Sequence, residues 1–215
     1  NPPPALAAFV DYWKGFASWR RAFNGFNETP FPADLQPDLE AAITSCRQAI
    51  AHDPGFVDAH TAVASCIMSL LYFSGKDADR IARLVEELRP EFQVISAHGA
   101  DNPRALWVMG ASQLSSPPPY GGDAAKAAAT FQRGLEAARR EANQSTSPGA
   151  PPTPAWIPTW GAPELLMNLA YLHAQGPTPN RALARAYAEG ALASAPDWHY
   201  VRDILLPQID ALPLR

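Results

Sequence analysis

Two short stretches in the first third of the chain carry residue types that bind metal ions. His52 is followed by Asp53, and Asp58 lies two residues before His60. Imidazole nitrogens and carboxylate oxygens are ligands for zinc and copper. None of the five histidines forms an i, i+4 pair, however, and the sequence contains neither HExxH nor CxxC. We therefore expect no metal site, with His52 at a helix end and His60 at a packing position.

The two cysteines, Cys46 and Cys66, fall on consecutive predicted helices. In an exported protein they could form a disulfide. The alternative is two buried thiols that act as small apolar residues, and the sequence slightly favours it. No serine or cysteine lies in a GxSxG or Cys–His context that would make it a nucleophile. We expect a protein that is not an enzyme and that uses no cofactor.

The Tyr120-Gly121-Gly122-Asp123 loop leads into a predicted helix, whose first N–H groups could bind an anion. It lacks the lysine and the length of a phosphate-binding loop. We expect Asp123 to cap the helix instead. Two N-x-Ser/Thr triplets, at Asn27 and Asn143, and a Ser/Thr/Pro run at 145–154 are candidate glycosylation sites in an exported protein.

A spacing of small residues that occurs more than once identifies the elements that would position these groups. It occurs at Ala42, Cys46, Ala49 and Pro54, again at Ala184, Ala188, Ala191 and Pro196, and without the proline at Ala127, Phe131 and Gly134. Such a spacing is typical of the second helix of a tetratricopeptide (TPR) repeat. Small residues let neighbouring helices approach, and proline ends the last turn.

Length and charge narrow the class of protein further. The 215 residues are enough for one compact domain or a short solenoid. The formal net charge of −4 argues against a nucleic-acid partner, and no apolar run reaches the length of a membrane span. The chain starts with Asn1 and Pro2-Pro3-Pro4, as an exported protein would after removal of a signal peptide, or a trimmed chain would. We expect an exported bacterial protein, periplasmic or extracellular.

The predicted organisation is an arm and capping helix at 1–37 and a repeat domain at 38–215 that forms a single compact unit with the cap. After an extended Pro2–Pro4 arm, helices are expected at about 5–24, 39–52 with Asp38 as its cap, 56–73, 76–88 with a short helix to His98, 103–114, 124–142, from 163 onward, 181–195 and 197–206. Loops are expected at 24–37, 115–123 and 143–154. The fold class is therefore an all-α, TPR-like right-handed solenoid of helical hairpins with an N-terminal capping helix and a C-terminal helix.

Aromatic residues recur along one face of the first predicted helix, at Phe9, Tyr12, Trp13, Phe16 and Trp19. This stripe is typical of a helix that covers the end of a repeat stack. It could also be a surface for docking or assembly with another chain.

First helices of TPR hairpins line a concave groove. In that register the groove residues are predicted to be Asp58, Thr61, Ser65, Arg104, Trp107, Glu164, Met167 and Tyr171. Such a mixture of aromatic and charged side chains suits an extended peptide or a small ligand. Trp156 and Trp160 could join this groove, but packing beneath the long loops is the favoured interpretation for both.

Several segments together resemble a group of uncharacterised bacterial TPR-containing proteins that generally carry export signals. They are NPRALWVMG, PPPYGGD with AKAAATFQRGLEAA, PTWG, and APDWHYVRDILLPQ, in that order. The resemblance covers about residues 38–209. It implies a TPR fold and export, and it implies no activity.

Three functions are compatible with these features. The leading hypothesis is a non-enzymatic TPR scaffold of the bacterial envelope that binds a protein or peptide. The second is a self-assembling subunit of an extracellular filament, because a solenoid with aromatic ends can stack head to tail. The third is a ligand-binding accessory protein of a solute transport system.

Overall fold

A computed structural model describes residues 3–29, 32–147, 149 and 151–213. The described chain is all-α, and its successive helices pack as antiparallel pairs. It divides into two compact units. Unit 1 comprises residues 1–100 and 154–158, and unit 2 comprises residues 101–153 and 159–215. The boundary predicted at 37/38 lies inside a helix.

The described residues of unit 1 form four helices: α1 (Pro4–Glu28), α2 (Leu35–His52), α3 (Val57–Phe73) and α4 (Ala78–His98). Each helix packs on the next one, and α1 also contacts α3. Ala42, Cys46 and Ala49 of the repeated spacing are fully buried on α2. Their burial agrees with the prediction that small residues mark a helix–helix interface.

Unit 2 contains α5 (Pro103–Ser115), α6 (Ala124–Thr146), α7 (Ala162–Gln175) and α8 (Arg181–Ser194). A π-helical segment (Tyr200–Leu205) then leads into α9 (Leu206–Asp210). Successive helices pack in pairs here as well, and α5 also contacts α7. The other two copies of the spacing are buried on α6 and α8, at Ala127, Phe131, Gly134, Ala184, Ala188 and Ala191. The last three join Val201, Leu205 and Ile209 in one apolar cluster.

The predicted ends of several elements were wrong. Pro4 is the first residue of α1 rather than the end of an extended arm, because a first-turn proline lacks only an N–H that has no partner inside the helix. Pro2 lies outside the described residues. α1 and α6 each run four residues past their predicted ends, to Glu28 and Thr146. α4 is one continuous helix that includes Pro90, where a helix at 76–88 and a separate short helix to His98 were predicted.

Asp38 was predicted to cap the second helix, but α2 begins three residues earlier, at Leu35. The Asp38 carboxylate is instead buried in the first turn and accepts hydrogen bonds from the Arg21 guanidinium, Nε at 2.7 Å. That hydrogen-bonded pairing holds the pKa of Asp38 below its usual value. The ion pair joins α1 to α2. The α6 cap was predicted correctly, since Asp123 accepts hydrogen bonds from the N–H groups of Ala125 and Lys126.

α1 and α2 approach closely where Gly15 faces Cys46. A Cβ atom at Gly15 would overlap the Cys46 sulfur and lie 3.0 Å from the Ala42 carbonyl oxygen. We expect Gly15→Ala to lower the free energy of unfolding by about 1–3 kcal/mol, because the helices must move apart. The measurement is urea unfolding followed by circular dichroism.

Gly25→Ala in the same helix is the matched control for Gly15→Ala. Its Cβ would meet Pro32 at an ordinary contact distance of 3.4 Å. In a helix interior, alanine should then be neutral or stabilising by up to about 1 kcal/mol. Equal losses from the two substitutions would contradict a close α1–α2 contact at Gly15.

Candidate functional site

The predicted groove residues fall in both units, and most of them are buried. Unit 1 holds Asp58, Thr61 and Ser65 on α3, all buried. In unit 2, Arg104, Trp107 and Glu164 are buried, Met167 is half-buried, and Tyr171 is 40% exposed. The buried side chains offer little surface to a partner in this structure.

Arg104 illustrates what these buried groups do. Its two terminal nitrogens each donate to one oxygen of Glu141 on α6, both at 2.8 Å. The guanidinium also donates to the Trp160 carbonyl oxygen at 3.2 Å, and the Trp160 ring packs edge-on against Trp107. A bidentate pair of this kind, with the Arg104 side chain buried, fixes the relative orientation of the two side chains. Arg104 therefore holds α5, α6 and the segment before α7 together inside unit 2.

Trp160 is half-buried against Trp107, whereas Trp156, expected to pack beneath the loops, is 43% exposed. Trp156 belongs to the 154–158 segment, which the packing places in unit 1 although the flanking residues belong to unit 2. The segment contains a turn in which the Ile157 N–H donates to the Pro154 carbonyl oxygen. The Trp13 indole N–H donates to the Trp156 carbonyl oxygen at 2.8 Å. This bond fastens the 154–158 segment to α1.

The aromatic stripe of α1 divides into an inner and an outer part. Tyr12 and Trp19 are fully buried, and the Tyr12 ring packs on Phe56. Phe9, Trp13 and Phe16 are half-buried, with edge-on contacts from Trp13 to Phe16 and from Phe9 to Phe56. The outer part is thus held by ring contacts and still presents apolar surface.

The outer part of the stripe borders an open apolar groove of about 450 Å³. The residues that line it, which we call the α1 groove, are Leu6, Phe9, Val10, Trp13, Lys14 and Trp156. Its volume lies within the roughly 300–1,000 Å³ that is usual for ligand pockets. Among these described lining residues Lys14 alone is charged, and its ammonium group is paired with Asp11 at 2.9 Å. The groove therefore suits an apolar group.

Sequence reasoning identified one wall of the α1 groove and missed the other. The sequence predicted that Phe9 and Trp13 belong to an assembly surface. It did not predict this role for Leu6, Val10 or Trp156. Trp156 lies 143 residues from Trp13 in the chain, and helical periodicity carries no information about such a contact. The proline-rich composition around Trp156 was the available signal, and it was interpreted as a loop.

His60 and Glu91 form a buried pair between α3 and α4. His60 Nδ1 lies 2.5 Å from Glu91 Oε2, and His60 Nε2 lies 3.0 Å from the Pro54 carbonyl oxygen. Burial lowers the pKa of His60, but the hydrogen bonds to Glu91 and Pro54 and the charges of Glu91 and Asp53 outweigh it. The pKa is therefore raised overall. Two facing acceptors favour the imidazolium form, which donates from both nitrogens.

Both cysteines are buried free thiols, the alternative that the sequence slightly favoured. Burial, with Glu91 nearby, raises the pKa of Cys46 to about 12. Burial and the neighbouring Cys46 also raise the pKa of Cys66 well above its usual value. At neutral pH these thiols are protonated and poor nucleophiles.

Comparison with known proteins adds no family assignment. No protein-family model, no curated protein and no solved structure matches the chain. Within the part of the chain that the structure describes, no helix combines the length and the apolar character that crossing a membrane requires.

Proposed function

We propose that the chain is a non-enzymatic, TPR-like scaffold that binds a protein or peptide partner. The pairing of successive helices and the burial of the repeated small residues support the scaffold part of this proposal. The observation that carries the binding part is the α1 groove, where Val10 is 36% exposed and Trp156 is 43% exposed beside an open apolar volume. Adjacent exposed apolar residues of this kind are typical of interaction sites.

Placing a charge in the α1 groove is the direct test of this proposal. We expect Val10→Glu to abolish capture of the partner from an extract of the native source, because an apolar partner would have to desolvate the new carboxylate. The fold should survive, because Val10 is already exposed. Capture is measured with the immobilised full chain and mass spectrometry of the eluate.

Val85→Glu is the matched control, since Val85 is an exposed valine (45%, against 36% for Val10) on α4 of the same unit. It should capture the same partner as the unaltered chain. If Val10→Glu and Val85→Glu retain the partner equally, the α1 groove is not the binding surface.

Self-assembly is the second candidate, favoured by the same exposed apolar surface on α1. In the capture experiment it would appear as recovery of the chain itself, with loss on Val10→Glu. The transport-accessory hypothesis and the placement in the bacterial envelope both stay predictions from the sequence.

A further inference from the structure

The chain already carries one peptide segment on the α1 surface. The 154–158 segment, Pro-Ala-Trp-Ile-Pro, packs in unit 1, and Trp13 donates its indole N–H to the Trp156 carbonyl oxygen at 2.8 Å. Two of its five residues are proline, Pro154 and Pro158, and Pro151 and Pro152 precede it in unit 2. The structure thus shows α1 holding, through Trp156, a short segment that contains two prolines.

The 154–158 segment leaves most of the α1 groove open. Trp156 forms one wall but remains 43% exposed, and about 450 Å³ stays unfilled between it and the outer face of α1. A large apolar or aromatic side chain from another peptide would fit into this volume. It would contact Leu6, Phe9 and Val10.

The lining of the groove also restricts the backbone that could lie along it. The described side chains that line it offer no hydrogen-bond acceptor, because they are apolar or, as with Trp13 and Lys14, donors only. An ordinary peptide laid on this apolar surface would bury N–H groups without partners, each at a cost of about 1–3 kcal/mol. Proline has no N–H, and proline-rich segments are already extended, so they lose less on binding. Aromatic-lined grooves elsewhere use this same mode of recognition.

We propose that the α1 groove binds a proline-rich peptide that inserts an apolar or aromatic side chain between Val10 and Trp156. This inference rests on the proposed function and names its partner class. The 154–158 segment is the chain's own example of such a ligand, bound beside the open site.

The experiment uses a peptide whose sequence is that of residues 149–158, GAPPTPAWIP, with both ends blocked and a fluorescein label. Fluorescence anisotropy is measured while the full chain is titrated in. We expect saturable binding that Val10→Glu weakens at least about tenfold, through the buried carboxylate. Val85→Glu should bind as the unaltered chain does.

A second peptide, with alanine at the four proline positions, separates this inference from the proposed function. Weaker binding of the alanine peptide supports the proposal. Equal binding of both peptides overturns the proline requirement and leaves a general apolar peptide site. No saturable binding of either peptide overturns the inference, whereas the proposed function fails only if the capture experiment also finds no partner that depends on Val10. A doubling of mass with concentration that Val10→Glu abolishes would make a second copy the occupant and overturn the inference.

Discussion

Replacing Glu91 with alanine should destabilise unit 1 by about 3–5 kcal/mol, because His60 would be left buried beside an empty space with its charge unpaired. Glu91 and His60 are both buried, and the two atoms that face each other are 2.5 Å apart. The remaining partner of the ring, the Pro54 carbonyl oxygen, cannot neutralise an imidazolium. The loss should be concentrated in α3 and α4.

Hydrogen exchange of amides in α3 and α4, followed by mass spectrometry, measures this effect where it occurs. Glu87→Ala is the control, since Glu87 lies on the same helix in an exposed pair with Arg47. Exposed pairs contribute at most about 1 kcal/mol. Equal loss of protection in the two variants would contradict the account of the buried pair.

The same pair makes the stability of unit 1 depend on pH. Because the pKa of His60 is raised in the folded chain, its stabilising contribution is complete below the unfolded value of about 6.5. The contribution is lost as the pH rises through the higher folded pKa, when the neutral ring keeps one N–H and its other nitrogen faces an acceptor with a lone pair. Glu91→Ala should flatten this dependence. A wild-type profile without such a decline would show that His60 does not titrate as described.

The second large effect is expected at the centre of unit 2. Phe131→Ala should lower the free energy of unfolding by about 3–5 kcal/mol, because it removes a fully buried ring and leaves a cavity. The ring lies against Gly110 of α5, where any Cβ atom would overlap it. Few neighbouring atoms can move into the space, since the α5 backbone is already close to the ring.

Tyr72→Ala is the control for Phe131→Ala, since it removes an aromatic ring that is 74% exposed. Its effect should stay within about 0.5 kcal/mol. Both variants are measured by urea unfolding, with hydrogen exchange to assign the loss to unit 2. A loss below about 1 kcal/mol for Phe131→Ala would contradict the tight α5–α6 contact.

The buried positions on α2, α6 and α8 could be predicted from the sequence because the signal is local. Small residues at intervals of three and four lie on one helical face, as at Ala184, Ala188 and Ala191. Such a face allows a neighbouring helix to pack closely. The cap at Asp123 was predictable for the same reason, since an aspartate and its two N–H partners lie within three residues.

The helix ends were less predictable because packing between helices outweighed local preference. Gly25 and Pro90 are poor helix residues, yet α1 continues past the first and α4 past the second. α1 packs on α2, and α4 packs on α3. Arg21, near the end of α1, is also held by Asp38 of α2. These tertiary contacts cannot be recognised from the local sequence pattern.

The candidate site was half predictable for a related reason. The periodic aromatic residues of α1 identified Phe9 and Trp13, but they could not show that Trp156 completes the groove from 143 residues away. The repeat register identified groove positions on the first helices, and most of those side chains are buried here. Register predicts which face a residue occupies, whereas exposure depends on what packs against that face.

Site-specific photocrosslinking in the native source tests directly whether the α1 groove is a binding surface. A photoreactive residue is placed at position 10 in one chain and at position 85 in another, since both valines are exposed. If the groove binds a partner, we expect the chain with the photoreactive residue at position 10 to form a discrete covalent adduct with a protein or peptide, and the chain with it at position 85 to form none. No adduct from position 10, or the same adduct from both positions, would contradict it.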